Sequence, residues 1–488
     1  MRVFLSALGC RLNEAEIETW GMKFGLAGHS LVETAVDADV IVLNTCAVTA
    51  EAVRKSRKSI QRLQRENPSA RMVVSGCYVT LDTADAQACG IDLVIPNDDK
   101  DELVRRCHEQ FADGFSMPIA ATSPAASLFQ RHRQRAFIKV QDGCRYRCTF
   151  CIVTVARGAE RSRPPGEIID EINQLVSTGI QEIVLTGVHV GGYGSDLQCT
   201  LYQLVEQILR DTDIPRIRFA SVEPWDLEDN FFTLFENPRL LPHMHLPLQS
   251  GCDAVLKRMA RRCKTADFSA LLHTIRSAMP HFNITTDIIV GFPGETECEW
   301  QQSLDYIAAQ DFGHIHIFTY SLREGTKAAR LPDQVHGRIK RQRSRALHAI
   351  AAVSQERVMQ RQLSLADSAE ILWESGKASP VNGKTRYQGY TPNYLRVQTD
   401  VDPSLRLDNA LTRTILHDWN SVDRRLVGIN HEILQQPEPV PVPRKAPTIM
   451  IHPVSQPRPQ FGAPPPETKP AGKSRSKLPG DAAGPQRV

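Results

Sequence analysis

Gly143-Cys144-Arg145-Tyr146-Arg147-Cys148-Thr149-Phe150-Cys151 places three thiols within eight residues, at CxxxCxxC spacing, directly after the strand-like run Ala136–Val140. Thiolates are soft ligands that suit iron-sulfur clusters and zinc. A structural zinc takes four protein ligands, whereas a 4Fe-4S cube held by three cysteines keeps one iron open. Cys144, Cys148 and Cys151 are therefore candidate ligands of a reactive cluster.

Outward from this loop, strand-like runs recur at Phe137–Val140, Glu182–Thr186, Arg216–Ala220, Met244–Leu248, Asn283–Val290 and Ile315–Tyr320, separated by helical stretches. Six such units predict an open (β/α)6 barrel, residues 130–362 with a trailing helix. Barrel enzymes carry their chemistry in the loops after the strands, and the cysteine loop is the first of these. Thr186-Gly187, Glu223 and Gln249-Ser250 fall at the same level. In His243-Met244-His245 and His314-Ile315-His316, one histidine of each pair is expected to face the barrel, as a structural residue.

Residues 1–125 also alternate strands with helices, which predicts a doubly wound parallel sheet. Cys10, Cys46 and Cys77 each lie one to three residues past a strand end, hence along the edge where open α/β sheets bind ligands. Sequence separations of 36 and 31 residues thereby become proximity, and a second cluster is expected on these three cysteines. Asn13 and Glu16 have the spacing of a helix-capping pair. Cys89 and Cys107 read as structural.

The formal charge of +3 is misleading. From Pro437 to Val488 eight Lys/Arg stand against three acids, so this tail is +5 and the rest −2; it also holds 14 of the 31 prolines. Residues 434–488 therefore read as a disordered extension. Arg338–Gln362 is a basic helix whose Arg338, Lys340, Arg341, Arg343 and Arg345 would suit phosphates. Short alternating segments over 363–433 suggest a small β-barrel, with Tyr387, Tyr390 and Tyr394 as stacking or packing aromatics and an acidic stretch at Asp400–Asp408. The Met1–Gly9 start is too short for a signal-peptide core, and no apolar stretch approaches a membrane span. A cytoplasmic protein without a membrane partner is expected.

With these residues in view the chain resembles the radical S-adenosylmethionine (SAM) superfamily and, within it, the methylthiotransferases. The resemblance rests on the CxxxCxxC loop with Phe150 before its last cysteine, the three amino-terminal cysteines, His245-Leu246-Pro247-Leu248-Gln249-Ser250-Gly251, Thr286–Thr296 and Tyr320–Thr326. Gln141-Asp142-Gly143-Cys144 and Glu223-Pro224-Trp225-Asp226 look like the branch acting on N6-threonylcarbamoyladenosine of tRNA. The resemblance implies two 4Fe-4S clusters, on Cys144, Cys148 and Cys151 and on Cys10, Cys46 and Cys77. The first would bind SAM and generate a radical that takes hydrogen from C2 of the adenine; the second would carry the sulfur. It further implies SAM contacts from Phe150, Thr186, Gly187, Glu223, Gln249 and Ser250, packing of Val290–Phe292 on adenine, a TRAM-like module at 363–433, and a flavodoxin- or ferredoxin-type reductant protein. The alternatives are the branches acting on isopentenyladenosine tRNA or on a ribosomal-protein aspartate, and a non-enzymatic metal-containing RNA-binding protein.

Overall fold

The structure, a computed structural model, describes residues 1–111, 134–365, 368–379 and 383–436. The Pro-rich segment from Pro437 onward lies outside the described residues.

In the first domain β1 (Arg2–Ala7), β2 (Ser30–Leu31), β3 (Val40–Thr45), β4 (Arg71–Gly76) and β5 (Leu93–Ile95) form one parallel sheet in the order β2-β1-β3-β4-β5. β3 reads Val-Ile-Val-Leu-Asn-Thr and is buried throughout, as a central strand covered on both faces must be. Val40 and Val42 pack with Ile17, Trp20 and Phe24 of helix α1 (Arg11–Leu26) on one face. Ile41 and Leu43 pack with Ile60, Leu63 and Tyr78 on the other. Strand periodicity thus makes the sheet doubly wound.

The second domain is the expected open barrel. Its parallel strands Arg135–Lys139, Glu182–Thr186, Arg216–Phe219, His243–His245, Asn283–Val290 and His314–Thr319 lie side by side in chain order, the third and fourth joined by the single bridges Ile217↔Leu240 and Ser221↔His245. Among the described residues the first and sixth strands do not pair. A bare parallel edge would leave unsatisfied N–H groups. At the first strand the Phe137 N–H donates to Glu18 of α1 at 2.9 Å. At the sixth, the long helix Gly337–Leu365 packs alongside, and Ser354 Oγ donates to Phe312 O at 2.8 Å.

A closed five-stranded barrel follows, made of Ser368–Trp373, Thr385–Tyr390, Arg396–Val401, Leu411–Asn420 and Arg425–Gln435, its first and second strands meeting at Leu372↔Tyr390. The alternating segments legible in the sequence, Glu370–Trp373, Tyr394–Thr399 and Arg413–Leu416, fall on three of these strands and miss Thr385–Tyr390 and Arg425–Gln435. The module caps the starting ends of the large barrel's strands. Arg218 Nη1 donates to Pro392 O at 3.0 Å and Asn283 Nδ2 to Asn393 O at 2.8 Å. Tyr390 and Tyr394 stack on each other at 4.8 Å, Arg135 lies 4.4 Å over Tyr390, and Tyr387 is buried against Asp408. All three tyrosines pack within the protein. The acidic stretch is likewise paired, Asp400 with Arg386 at 2.8 Å and Asp408 with Arg406 at 3.3 Å.

Candidate active site

β1, β3 and β4 are neighbours, so the loops that follow them emerge side by side. Cys10, Cys46 and Cys77 all line one cavity of ≈ 1320 Å³ at this edge. Gly9 has φ +101°, and a Cβ there would stand 2.6 Å from Cys46 Sγ, so only glycine lets the Cys10 loop lie against that thiol. Burial pushes the Cys46 thiol up to about 11, the neighbouring Cys10 and Cys77 adding to the effect. Cys10 has surface open to the cavity but is enclosed by protein mass, and its thiol is raised as well, by burial first.

The CxxxCxxC loop is held from several sides. Gly143 has φ +71°, and a Cβ would meet Ala159 O at 1.8 Å; the Cys144 N–H donates to Gly158 O at 3.2 Å. Thr149 Oγ1 donates to Arg258 O at 2.9 Å, and Phe150 packs on the cluster of Met259, Phe292 and Tyr320. Cys144, Cys148 and Cys151 are each half-buried. Burial raises the Cys144 thiol to about 12 and Cys151 to about 11, so a cation bound at sulfur would favour the thiolate that burial disfavours.

Beneath this loop lies a network that the sequence did not reveal. His189, 1% exposed in its side chain, bridges Glu160 through Nδ1 and Asp226 through Nε2, the latter at 2.7 Å. Tyr146 OH donates to Asp226 at 2.6 Å and Arg145 Nη2 reaches the same carboxylate at 3.1 Å. Burial disfavours the imidazolium, but the bond to Asp226, the charge of Glu223 and the bond to Glu160 outweigh it and raise His189. Gln141, in the quoted Gln-Asp-Gly-Cys stretch, accepts from the His189 N–H at 2.8 Å and donates to Gly143 O at 2.7 Å, tying the first strand's loop to the second's.

The remaining expected contacts sit on this same end of the barrel. Thr186 and Gly187 end the second strand and line the cavity. Glu223 carries a buried Oε2 with no partner, and burial raises its carboxyl against the charges of Arg261 and His189. Gln249 is buried with φ 79°, a conformation uncommon and costly for a non-glycine residue. Ser250 Oγ lies 3.3 Å from Ser303 Oγ. Phe292 is fully buried against Tyr320, in core packing.

Three sequence readings need correction. Asn13 and Glu16 do not cap α1, which starts at Arg11 behind Cys10. Asn13 sits inside the helix and donates to Leu8 O and Thr45 O at 2.7 and 3.0 Å, while Glu16 is the centre of a buried ion network. Both histidines of each pair line the cavity, because residues i and i+2 of a strand share a face. His245 Nε2 lies 3.2 Å from Asp287 Oδ1, beside the ring of His316. In the long helix, Arg343 is buried on Glu295 at 2.8 Å and presents no free charge, and Lys340 is turned onto Tyr320 O at 3.0 Å.

The donor set fits a cluster better than a single ion. Zinc bound at 2.3 Å by tetrahedral thiolates needs sulfurs roughly 4 Å apart. Among the described residues, the sets of three ligand atoms within 4.8 Å are Cys144–Glu160–His189 and His245–Asp287–His316; neither cysteine triad converges so closely.

The match to known proteins follows these landmarks. A model of the radical SAM superfamily matches residues 138–307, and one described as "Uncharacterized protein family UPF0004" matches residues 2–95. The fold alone resembles the radical SAM methyltransferase TsrM of Kitasatospora setae, at TM-score 0.50 and 15% identity over 65% of this chain and 72% of that one. The protein is thus a radical SAM enzyme, a class whose cofactors are a 4Fe-4S cluster and SAM. Over 406 residues it is 34% identical to the threonylcarbamoyladenosine tRNA methylthiotransferase MtaB of Bacillus subtilis, covering 81% of this chain and 89% of the relative. It is also 34% identical, over 71% of each chain, to the tRNA-2-methylthio-N(6)-dimethylallyladenosine synthase of Bacillus velezensis. The chain belongs to the radical SAM tRNA methylthiotransferase family. No helix among the described residues is long and apolar enough to cross a membrane.

Proposed function

We propose that the protein inserts a methylthio group at C2 of N6-threonylcarbamoyladenosine beside the tRNA anticodon, with two 4Fe-4S clusters, acting in the cytoplasm with a flavodoxin- or ferredoxin-type reductant. The observation that carries it is the pair of cysteine triads, each on the strand-end edge of its own parallel sheet and each one ligand short of a closed site. Cys144, Cys148 and Cys151 would hold the SAM-binding cluster, and Cys10, Cys46 and Cys77 the cluster that supplies sulfur. Bound together, a three-thiolate cluster and SAM supply one-electron cleavage to a carbon radical, which the unactivated C2 position requires because it has no acidity for a general base to use.

The chain's own groups orient and enclose. Glu223, through its unpartnered Oε2, and the positive-φ Gln249, with Ser250, Thr186 and Gly187, would meet the polar groups of SAM, while Phe150 would fix the cysteine loop. The His189–Asp226–Tyr146 network holds that loop against recoil. Residues 1–125 would be the sulfur-carrying domain, 130–362 the radical domain with its trailing helix, 363–433 a TRAM-like module and 434–488 a Pro-rich tail.

Iron and sulfide quantitation after anaerobic reconstitution should give two clusters per chain; one would remove the two-cluster reading. Mass spectrometry of bulk tRNA from a deletion strain should show loss of methylthio-threonylcarbamoyladenosine. Loss of methylthio-dimethylallyladenosine instead would assign the protein to the second relative's substrate.

A further inference from the structure

The cavity that receives the amino-terminal cysteines extends to a wall of different character. Arg11 of α1 and Arg396 and Arg424 of the carboxy-terminal barrel all line it. Of the carboxylates along the same cavity, Glu51 pairs with Arg54 at 3.1 Å and Asp287 lies 3.2 Å from His245, while Asp423 accepts from the neutral Asn420 amide at 3.1 Å and keeps its charge. The cavity's other cations are likewise spoken for, Lys55 by Glu51 and Arg157 by Glu16 and Asp142. Arg11 donates to Tyr394 OH at 3.2 Å, a neutral partner, and among the described residues no carboxylate lies within ion-pair distance of Arg11, Arg396 or Arg424.

Arg396 acts on both His314 and His316, Arg424 on the first and Arg11 on the second. Burial, His316 and then Arg396 hold His314 down at about 4, with Arg424 adding to the effect. His316 is lowered by burial first, with Arg11 and Arg396 among its further causes. The imidazoles are kept neutral, and the wall's positive charge resides on arginine. Guanidinium charge of one sign along a cavity wall attracts anions, and Arg presents a planar fork that suits carboxylate.

Resting on the substrate reading above, we propose that Arg11, Arg396 and Arg424 form an anion subsite that takes the threonyl carboxylate of the modified adenine and thereby selects it over an apolar N6 substituent. The threonylcarbamoyl group ends in a carboxylate, whereas a dimethylallyl group carries no charge and would leave the three cations unpaired. Arg11 is half-buried while Arg396 and Arg424 are open to solvent, so the discrimination rests on charge-assisted bonds that only the carboxylate can accept.

The test uses the reconstituted holoenzyme and an anticodon stem-loop bearing the modified adenosine as its free acid or its threonyl methyl ester, read by equilibrium Kd and by methylthiolation kcat/KM. The wild type should favour the acid over the ester by roughly 10–100-fold, the worth of one or two charge-assisted bonds. In R396Q/R424Q the acid should fall to about the level of the ester, with the acid-to-ester ratio collapsing toward one. That ratio is taken within each variant, so a general loss of folding or of cluster loading does not imitate it. Equal wild-type use of acid and ester overturns the subsite. So does an unchanged ratio in the variant with both substrates weakened alike, which would place the arginines on backbone phosphates. A wild type that methylthiolates a dimethylallyl stem-loop and ignores the acid overturns the substrate reading and the subsite together.

Discussion

Glu16→Gln is the most informative single change at the junction of the first two domains. Glu16 accepts from Lys100 Nζ at 2.5 Å, Arg157 Nη1 at 2.9 Å and Asn44 Nδ2 at 2.8 Å, with Lys139 Nζ at 3.6 Å. Glu16, Lys100 and Arg157 are each no more than 3% exposed in their side chains. Asp142 is the only other carboxylate in the group, bonded to Arg157 at 2.9 Å and Lys139 at 2.8 Å. Neutralising Glu16 therefore leaves two buried cations and the half-buried Lys139 on one carboxylate, and uncompensated burial of this kind costs about 3–5 kcal/mol. Arg157→Met, by contrast, leaves two carboxylates facing two lysines and removes mainly charge-assisted bonds, about 1.5–3 kcal/mol. Burial and Arg157 already lower Lys100, so in Glu16→Gln it will shed its proton first, and the penalty should shrink as pH rises toward the ordinary lysine value near 10.4. Amide exchange read by mass spectrometry over α1 and the strand Arg135–Lys139 is the assay. At about 1.4 kcal/mol per tenfold, Glu16→Gln should speed exchange by roughly a hundredfold or more, and Arg157→Met by less. Faster exchange in Arg157→Met than in Glu16→Gln, or an effect of Glu16→Gln below tenfold, would refute the charge count.

Cys148→Ala should abolish reductive SAM cleavage, whereas Cys46→Ala should leave cleavage intact and stop methylthiolation; equal loss in both would make the amino-terminal cysteines structural. Gly9→Ala adds a Cβ 2.6 Å from Cys46 Sγ at a φ of +101°, so the iron content of the reconstituted protein should fall by about half with SAM cleavage retained. Burial alone would raise Glu182, but Arg218, Arg216 and Arg135 hold it at about 2, and its folded value lies below the unfolded 4.3. Its contribution is therefore complete above about pH 5 and lost as pH falls toward 2; exchange at Arg216–Phe219 and Arg396–Val401 should quicken over that window in the wild type and be already fast at pH 7 in Glu182→Gln.

The parts of the fold that were legible in the sequence are those written in local periodicity. β3, with its unbroken Val-Ile-Val-Leu run, and the six barrel strands each announce themselves within a few residues. The cysteines were legible because thiols at strand ends have few other uses in such numbers. What escaped was decided by tertiary partners. Asn13 and Glu16 have the spacing of a capping box, and nothing within the helix distinguishes that from a carboxylate waiting for Lys100, 84 residues on, and Arg157, 141 residues on. Arg343 reads as one cation among five on a basic helix, and only Glu295 and Glu297 mark it as buried. The histidine pairs were misjudged by the period itself: alternate residues along a strand share a face, so Met244 and Ile315 turn into the core while all four rings line the cavity.

The segment Ala156–Arg157, a few residues past Cys151, ties the two cysteine sets of separate sheets together. Arg157 Nη2 donates to Asn13 Oδ1 at 2.7 Å, and that oxygen lies 3.6 Å from Cys10 Sγ. The other arm of Asn13 holds Thr45 O, the carbonyl next to Cys46, at 3.0 Å. Ala156 O accepts from Asn97 Nδ2 at 2.5 Å, and the same amide lies 3.8 Å from Cys77 Sγ. Each amino-terminal cysteine is therefore one side chain away from the helix that closes the CxxxCxxC loop. A hinge between the domains would have to break the Glu16–Arg157–Asp142 network, among the most buried ion pairs in the described chain. The network ties the cavity that Cys10, Cys46 and Cys77 line to the helix just past Cys151, so in the proposed reaction the base need not travel between separately moving domains.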